Sequence, residues 1–341
     1  MSERSLADLT TLRLGGPASD VVEAGDEQAL VDAVSTADAA GQPLLVVAGG
    51  SNLVLPDTPI ERRVVLVRTT GVAVDSHDDR VVVRAAAGED WDSFAARAVD
   101  DDWVGVEALS GIPGSVGATP IQNVGAYGQE VSETLTAVRV WDHSQRRPRT
   151  LSAADCGFGY RTSRFKAEPD RFLVLEVVFT LARGDLGAPI RYAQLADRLG
   201  VDLGAQVPLP AVRDAVLELR RSKGMVLDAA DHDTWSVGSF FTNPMLDPTD
   251  AERLPVEAPR WPQPDGRVKT SAAWLIEGSG FARGHGAGAA RISSKHTLAL
   301  TNRGSATTAD LLALAREVRG GVSARFGVEL VPEPTLVDCT L

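Results

Sequence analysis

The run Gly111-Ile-Pro-Gly-Ser-Val-Gly-Ala-Thr-Pro-Ile-Gln-Asn-Val-Gly-Ala-Tyr-Gly128 decides how the rest of the chain is read. Five glycines and two prolines among its eighteen residues exclude a helix. Without Cβ atoms, such a backbone can approach a large flat or charged ligand closely. Ordering so many glycines costs conformational entropy, which some contact must offset. A plain surface loop is the alternative, but such a loop would rarely set Ile112, Val116, Ile121 and Val124 among its glycines.

Upstream, Pro43-Leu-Leu-Val-Val-Ala is a short buried strand that runs into Ala48-Gly-Gly-Ser-Asn52. Successive N–H groups in such a turn can converge on an anion, with Ser51 and Asn52 adding donors for a pyrophosphate. A simple strand-end turn is the bland alternative. Leu53-Val-Leu-Pro does not open a helix, so the arrangement is not a Rossmann one. Asp20 to Ala24 reads as a strand, Glu27 to Ala40 as a helix ended by Gly41-Gln-Pro, and Val64 to Val67 as another strand. Val72-Ala-Val and Arg80 to Arg84 form a hairpin across Ser76-His-Asp-Asp, and Glu89 to Asp100 is a helix.

Downstream, Leu135 to Trp141 and Phe172 to Leu181 read as strands of an open sheet with helices on one side. Pro208 to Lys223 is a helix with Val212, Ala215, Val216 and Leu219 on one face, and Ser271 to Glu277 is a short one. Thr308 to Phe326 is a helix entered through Thr307 and Asp310, and Val328 to Val337 is expected to close the chain as a strand. Gly284-His-Gly286-Ala-Gly-Ala289 mimics a dinucleotide fingerprint. No apolar strand precedes it and no good helix follows, so it is rejected.

The chain has 341 residues and a net charge of −12, from 46 acidic and 34 basic side chains. That field repels nucleic acid, and the basic runs Arg146-Arg147 and Arg220-Arg221-Ser222-Lys223 lack the interleaved aromatics of a single-strand binder. Small anions remain suitable ligands. Cys156 and Cys339 form neither a metal spacing nor a disulfide framework, which fits a reducing cytoplasm. No signal peptide and no membrane span is read, so the expectation is a cytoplasmic monomer that binds no metal, membrane or nucleic acid.

Gly157-Phe-Gly-Tyr-Arg161 sets one Arg beside an aromatic, and Gly238-Ser-Phe-Phe-Thr-Asn-Pro244 sets Ser239 beside two Phe. Taken singly, a surface Arg, a turn Ser and a solvated Glu333 are the ordinary explanations. Their order along the chain resembles the UDP-N-acetylenolpyruvoylglucosamine reductase family. The resemblance lies in Thr11-Leu-Arg-Leu-Gly-Gly, Ala48-Gly-Gly-Ser-Asn-Leu, Ile112-Pro-Gly-Ser-Val-Gly, Gln122-Asn-Val-Gly-Ala-Tyr-Gly, Gly159-Tyr-Arg161-Thr-Ser163, Gly238-Ser-Phe-Phe-Thr-Asn-Pro and Gly327-Val-Glu-Leu-Val-Pro-Glu333.

The resemblance implies an α+β flavoprotein of three domains. A vanillyl-alcohol-oxidase-type FAD-binding pair (residues 1–71 with 326–341, and 72–207) would carry a substrate domain at 208–325. FAD would be non-covalent, since none of the five histidines lies in the Gly49–Asn52 or Gly111–Gly128 turns. NADPH would be the co-substrate, and the enolpyruvyl group of a UDP-amino sugar would be reduced to UDP-N-acetylmuramate for peptidoglycan, serving cell-wall biogenesis, cell shape and division.

By the same resemblance, Arg161 supplies a fixed cation to a developing enolate, Glu333 donates a hydrogen bond as a protonated acid, and Ser239 gives the final proton. Gly49, Gly50, Ser51, Asn52, Ile112, Pro113, Gly117, Thr119, Ile121, Gly125 and Arg220 are the expected cofactor-binding residues. Tyr127, Tyr192, Lys223, Asn243 and Lys269 are expected on the UDP sugar, with Tyr192 on a covering loop and Lys223 a point charge for phosphate. Ala118-Thr119 stands where the family commonly has a Ser pair, and Pro334 removes a backbone donor beside Glu333. An oxidase of the same flavin fold, or an inactive nucleotide-sugar binder, are the competing readings.

Overall fold

The computed structural model describes residues 3–341, folded as two compact units. The first comprises Ala18–Gly49 and Glu61–Ser222, and the second Arg4–Pro17, Gly50–Ile60 and Lys223–Leu341.

The first unit begins with a three-stranded parallel sheet in the order Val21–Ala24, Arg63–Val67, Leu44–Val47. Helix Glu27–Ala40 links two of these strands and buries Leu30, Ala33, Val34 and Ala37. Its ends are set locally. The Asp26 carboxylate accepts the Ala29 N–H, and Gly41 closes the helix at φ 62°, a left-handed conformation that suits glycine.

An antiparallel sheet follows, in the order Arg147–Ser152, Leu135–Asp142, Phe172–Arg183, Arg80–Ala86, Val72–Ser76. Its centre is the twelve-residue strand Phe172–Arg183. Trp91 and Phe94, from helix Trp91–Asp100, meet Phe179 of that strand with ring centroids 5.0–6.1 Å apart, and all three are at most 2% exposed. The buried Trp91 indole donates to the Leu109 carbonyl at 2.9 Å, so burial leaves no orphaned donor there. The helix starts two residues later than the sequence pattern suggests, because Asp90 serves as its cap. Strand Arg147–Ser152 and helix Ala193–Leu199 were not expected from the sequence.

In the second unit, helix Thr308–Phe326 opens with a reciprocal capping box between Thr307 and Asp310 and ends at Gly327, φ 68°. It buries Leu311, Leu312, Leu314, Ala315, Val318 and Val322. Short sheets and helix Ala272–Gly278 complete the unit. The expected closing strand over Val328–Val337 is much shorter. Only Thr335–Leu336 is strand, paired in parallel with Leu53–Val54. Pro332 and Pro334 interrupt the donors that a longer ladder would need.

One buried charge organises the outer hairpin of the first unit. Asp142 is 0% exposed and accepts from the Ser144 N–H and hydroxyl, the Gln145 N–H and, at 2.8 Å, Arg149. Burial pushes its pKa up, but these hydrogen bonds and the Arg171 charge outweigh it and hold the value at about 2. A depressed folded pKa gives stability that is full above the unfolded value, about 3.9, and is lost as pH falls through the folded one. Asp142→Ala is therefore expected to cost about 2–3 kcal/mol at pH 7, the cost of leaving charged and buried partners unmet. The gap to wild type should narrow from about pH 4 towards pH 2 in denaturant unfolding. A gap that stays constant through that range would show that the carboxylate's charge contributes nothing.

Candidate active site

In the first unit the Gly111–Gly128 run is pinned along its length. Trp91 N–H donates to the Gly114 carbonyl at 3.1 Å, Val116 N–H to Glu89 and Gly117 N–H to Ala87, both at 2.8 Å. The Asp92 carboxylate accepts the Gly111 N–H at 2.6 Å and is gripped by Arg213 at 2.6 and 3.1 Å. A Cβ at Gly117 would lie 2.5 Å from Ala87 Cβ, and one at Gly49 would lie 2.7 Å from Gly114 Cα. At these positions the close approach that glycine permits includes the protein's own chain, which the sequence reading did not bring out.

The same packing lays the Gly49 and Gly114 backbones together without side chains to fill the space beside them. A turn of this kind presents main-chain N–H groups to a pyrophosphate. Ile112 packs against the core, while Ile121 is 39% exposed and offers an apolar face to a ring. The residues present therefore fit an FAD. Pro113 is half-buried beside them. Thr119 is buried and its hydroxyl donates to the Val116 carbonyl at 2.7 Å, so towards a ligand it can only accept. Gly50 is left-handed at φ 59°, and Ser51 and Asn52 follow it half-buried in the turn.

Arg161 occupies a four-residue turn closed by Gly159 and Thr162, which exchange backbone hydrogen bonds at 3.1 and 3.3 Å. Its φ is 51°, a third-position conformation usually left to Gly or Asn. Non-glycine residues held there cluster at functional sites, where the surroundings over-determine them. The guanidinium donates to the Gly125 carbonyl at 2.6 Å and the Asn123 carbonyl at 3.5 Å. The planar guanidinium is thus fixed in direction by main-chain acceptors.

The rings of Tyr127 and Tyr192 meet edge to face at 5.6 Å. Tyr127 is held at φ 48°, and burial pushes its hydroxyl pKa above the ordinary value. Tyr192 caps helix Ala193–Leu199 and is 44% exposed. Arg220, on helix Leu209–Ser222, is driven down to about 10 by burial, opposed by the nearby Tyr127 and Asp92, and it stays charged at neutral pH.

The second unit gathers residues from four distant parts of the chain. Glu333 N–H donates to the Phe240 carbonyl at 2.9 Å, beside Ser239, and Thr242 N–H donates to Val331 at 3.1 Å. Thr335 N–H donates to the Asn52 carbonyl at 2.9 Å, Thr11 N–H to Gly50 at 3.2 Å, and the Thr11 hydroxyl to Ser236 at 2.7 Å. Ser239, half-buried, follows Gly238 at φ 74° and precedes the fully packed pair Phe240 and Phe241, 0% and 1% exposed. Pro334 falls between the two used donors of Glu333 and Thr335. In an extended segment an N–H at that alternate position would point away from both partners, so the donor that proline lacks is not missed there.

Asn243 accepts the Ala272 N–H at 3.0 Å through its side-chain oxygen, so its amide N–H₂ is the part that can address a phosphate. Lys269 lies on strand Val268–Thr270 with its ammonium 5.9 Å from the Trp261 ring. Lys223, half-buried, follows the end of helix Leu209–Ser222. Asp92 and Trp261 did not emerge from the sequence reading, since neither lies in a motif.

Among the described residues, no group of three or more His, Cys, Asp or Glu could hold a metal ion, and no helix is long and apolar enough to cross a membrane.

Residues 18–146 match the FAD binding domain family, and residues 230–337 match the C-terminal domain of UDP-N-acetylenolpyruvoylglucosamine reductase. The reductase of that name from Thermobifida fusca is 57% identical, over 98% of this chain and 97% of its own length. That from Salinispora arenicola is 56% identical, over 100% and 96%. In fold, the chain is similar to the crystal structure of the enzyme from Thermus caldophilus, with a TM-score of 0.66 at 23% identity and 98% coverage of both chains. These likenesses show that the chain belongs to the UDP-N-acetylenolpyruvoylglucosamine reductase family.

Proposed function

We propose that the chain takes electrons from NADPH through non-covalently held FAD and reduces the enolpyruvyl group of a UDP-amino sugar, giving UDP-N-acetylmuramate for peptidoglycan synthesis. The observation that carries the reading is the backbone bond from Glu333 to Phe240, which sets the acid's segment beside the turn of Ser239. When bound and reduced by NADPH, the flavin would supply the hydride taken up at the terminal methylene of the enolpyruvyl group.

The chain's own residues then handle charge and proton. Negative charge builds on the substrate carboxylate as an enolate, and a preorganised cation lowers its cost without reorganising at the moment of reaction. Arg161, pinned to two carbonyls, suits that task. Glu333 would be protonated and help as a hydrogen-bond donor to the developing enolate. Ser239 would donate its hydroxyl proton to the carbon next to the carboxylate. An enolate carbon is basic enough to take a proton from an alcohol.

The two glycine turns and Arg220 would hold FAD. Tyr127, Tyr192, Lys223, Asn243 and Lys269 would hold the nucleotide sugar, with Tyr192, Lys223 and Asn243 at its pyrophosphate. We further propose three functional parts, residues 1–71 with 326–341, 72–207 and 208–325, acting in a cytoplasmic monomer.

Two variants test these roles. Ser239→Ala should leave NADPH-driven bleaching of the flavin near normal and slow its reoxidation by the enolpyruvyl sugar by about 10²–10⁴-fold, the usual worth of a general acid. Ser239→Cys should recover part of that rate. Stopped-flow absorbance of each half-reaction reads both, and equal slowing of the two would remove Ser239 from the chemistry.

Tyr192→Phe keeps the ring that packs on Tyr127 but loses the hydroxyl. A lost hydrogen bond to a charged group is worth roughly 1.5 kcal/mol, so KM for the sugar should rise about tenfold with NADPH bleaching unchanged. Slower bleaching would place Tyr192 away from the sugar.

A further inference from the structure

Asn123 lies within the motif Gln122-Asn-Val-Gly-Ala-Tyr-Gly but has no role in the reading above. It is 1% exposed and sits at φ 47°, where Asn is among the few tolerated residues after glycine. Every polar atom of its side chain is used inside the protein. The amide N–H₂ donates to Glu130 at 2.7 Å and to the Gly159 carbonyl at 3.2 Å, and the side-chain oxygen accepts the Ser132 N–H at 3.1 Å. A group so occupied does not touch a ligand. What it touches is the Arg161 turn, and from two sides.

Gly159 opens the four-residue turn whose third residue is Arg161, so the amide holds the base of the turn. The Asn123 main-chain carbonyl accepts from the Arg161 guanidinium, as does Gly125 two residues on, so the same short segment also holds the tip. Little slack is left between them. A Cβ at Gly125 would stand 2.9 Å from Glu130 Cγ and 3.2 Å from the Arg161 guanidinium. The hydroxyl of Ser163 adds a further tie, donating to Ile121 at 2.6 Å.

We propose that Asn123, backed by Glu130, is the positioning residue that aims Arg161 at the substrate carboxylate. The left-handed backbone of Arg161 is disfavoured on its own, and this brace is what over-determines it. The inference rests on the reading of Arg161 as the cation opposite the developing enolate. Misplacing such a group by about 1 Å costs about 10²-fold in rate.

A double-mutant cycle separates aim from general damage. Asn123→Gly deletes the side chain and keeps a residue content at positive φ. It should slow flavin reoxidation by the enolpyruvyl sugar by about 10²-fold and leave NADPH bleaching within about twofold. It should also weaken the equilibrium binding of UDP-N-acetylmuramate, which keeps the carboxylate, as measured by calorimetry. In an Arg161→Ala background the same change should add no more than about twofold to the loss.

Equal slowing in both backgrounds would overturn the proposal, since Asn123 would then act on the fold and not through Arg161. Arg161→Ala reacting at wild-type speed would sink the reading of Arg161 itself, and the proposal with it. Should Asn123→Gly not fold, Glu130→Ala removes one anchor of the amide and should show the same pattern at smaller size. No effect of Glu130→Ala in the wild-type background would likewise count against the brace.

Discussion

The hydrogen bond from the Glu333 N–H to the Phe240 carbonyl is the constraint on which the candidate chemistry of the second unit depends. It joins residues more than ninety positions apart in the numbering of one chain, and it is flanked by the Phe241–Pro332 bridge and the Thr242–Val331 bond. Main-chain bonds fix register, so the side chains of Ser239 and Glu333 inherit their placement from backbone that cannot slide. The burial of Phe240 and Phe241 anchors the turn from below. Removing either ring would cost about 3–5 kcal/mol and loosen the turn that carries Ser239. Thr335 extends the same segment to the Asn52 carbonyl, which brings the end of the glycine turn into the weave.

The first unit solves a similar problem with carbonyls and one disfavoured dihedral angle. Arg161 is held at φ 51° by a closed turn and by two main-chain acceptors. Asp92 plays the matching part at the start of the glycine run, tying Gly111 to Arg213 of another helix, and its pKa is drawn down by these partners despite burial. In both units, polar atoms engaged within the protein hold the ones proposed to meet a ligand. This division of labour suits a reaction whose charge develops only transiently, because a donor that must reorient loses much of its worth.

Legibility in the sequence follows how local each determinant is. Helices Glu27–Ala40 and Thr308–Phe326 were readable to their ends because their caps lie within three residues of them. Strand Arg147–Ser152 was hidden, since its residues show little apolar alternation and its hairpin is fixed by the buried Asp142. Helix Ala193–Leu199 was too short to show a period and was read as part of a covering loop. The closing segment was over-read as a strand because its apolar alternation is real but two prolines deny it a ladder. As for the site, the chemistry of single residues such as Arg161, Ser239 and Glu333 was not distinctive, and only their order along the chain pointed to a family. Asn123 went unread because its role rests on a left-handed backbone and a tertiary contact, neither of which composition displays.

One chain is proposed to couple NADPH oxidation to reduction of an enolpyruvyl sugar through a dissociable flavin. An anaerobic titration of the purified protein tests it most directly. The protein should be yellow, release its flavin on acid treatment, lose its colour with one equivalent of NADPH, and regain it with one equivalent of UDP-N-acetylenolpyruvoylglucosamine as UDP-N-acetylmuramate forms. A flavin that stays attached after denaturation, or a bleached protein that only oxygen can restore, would rule out that coupling.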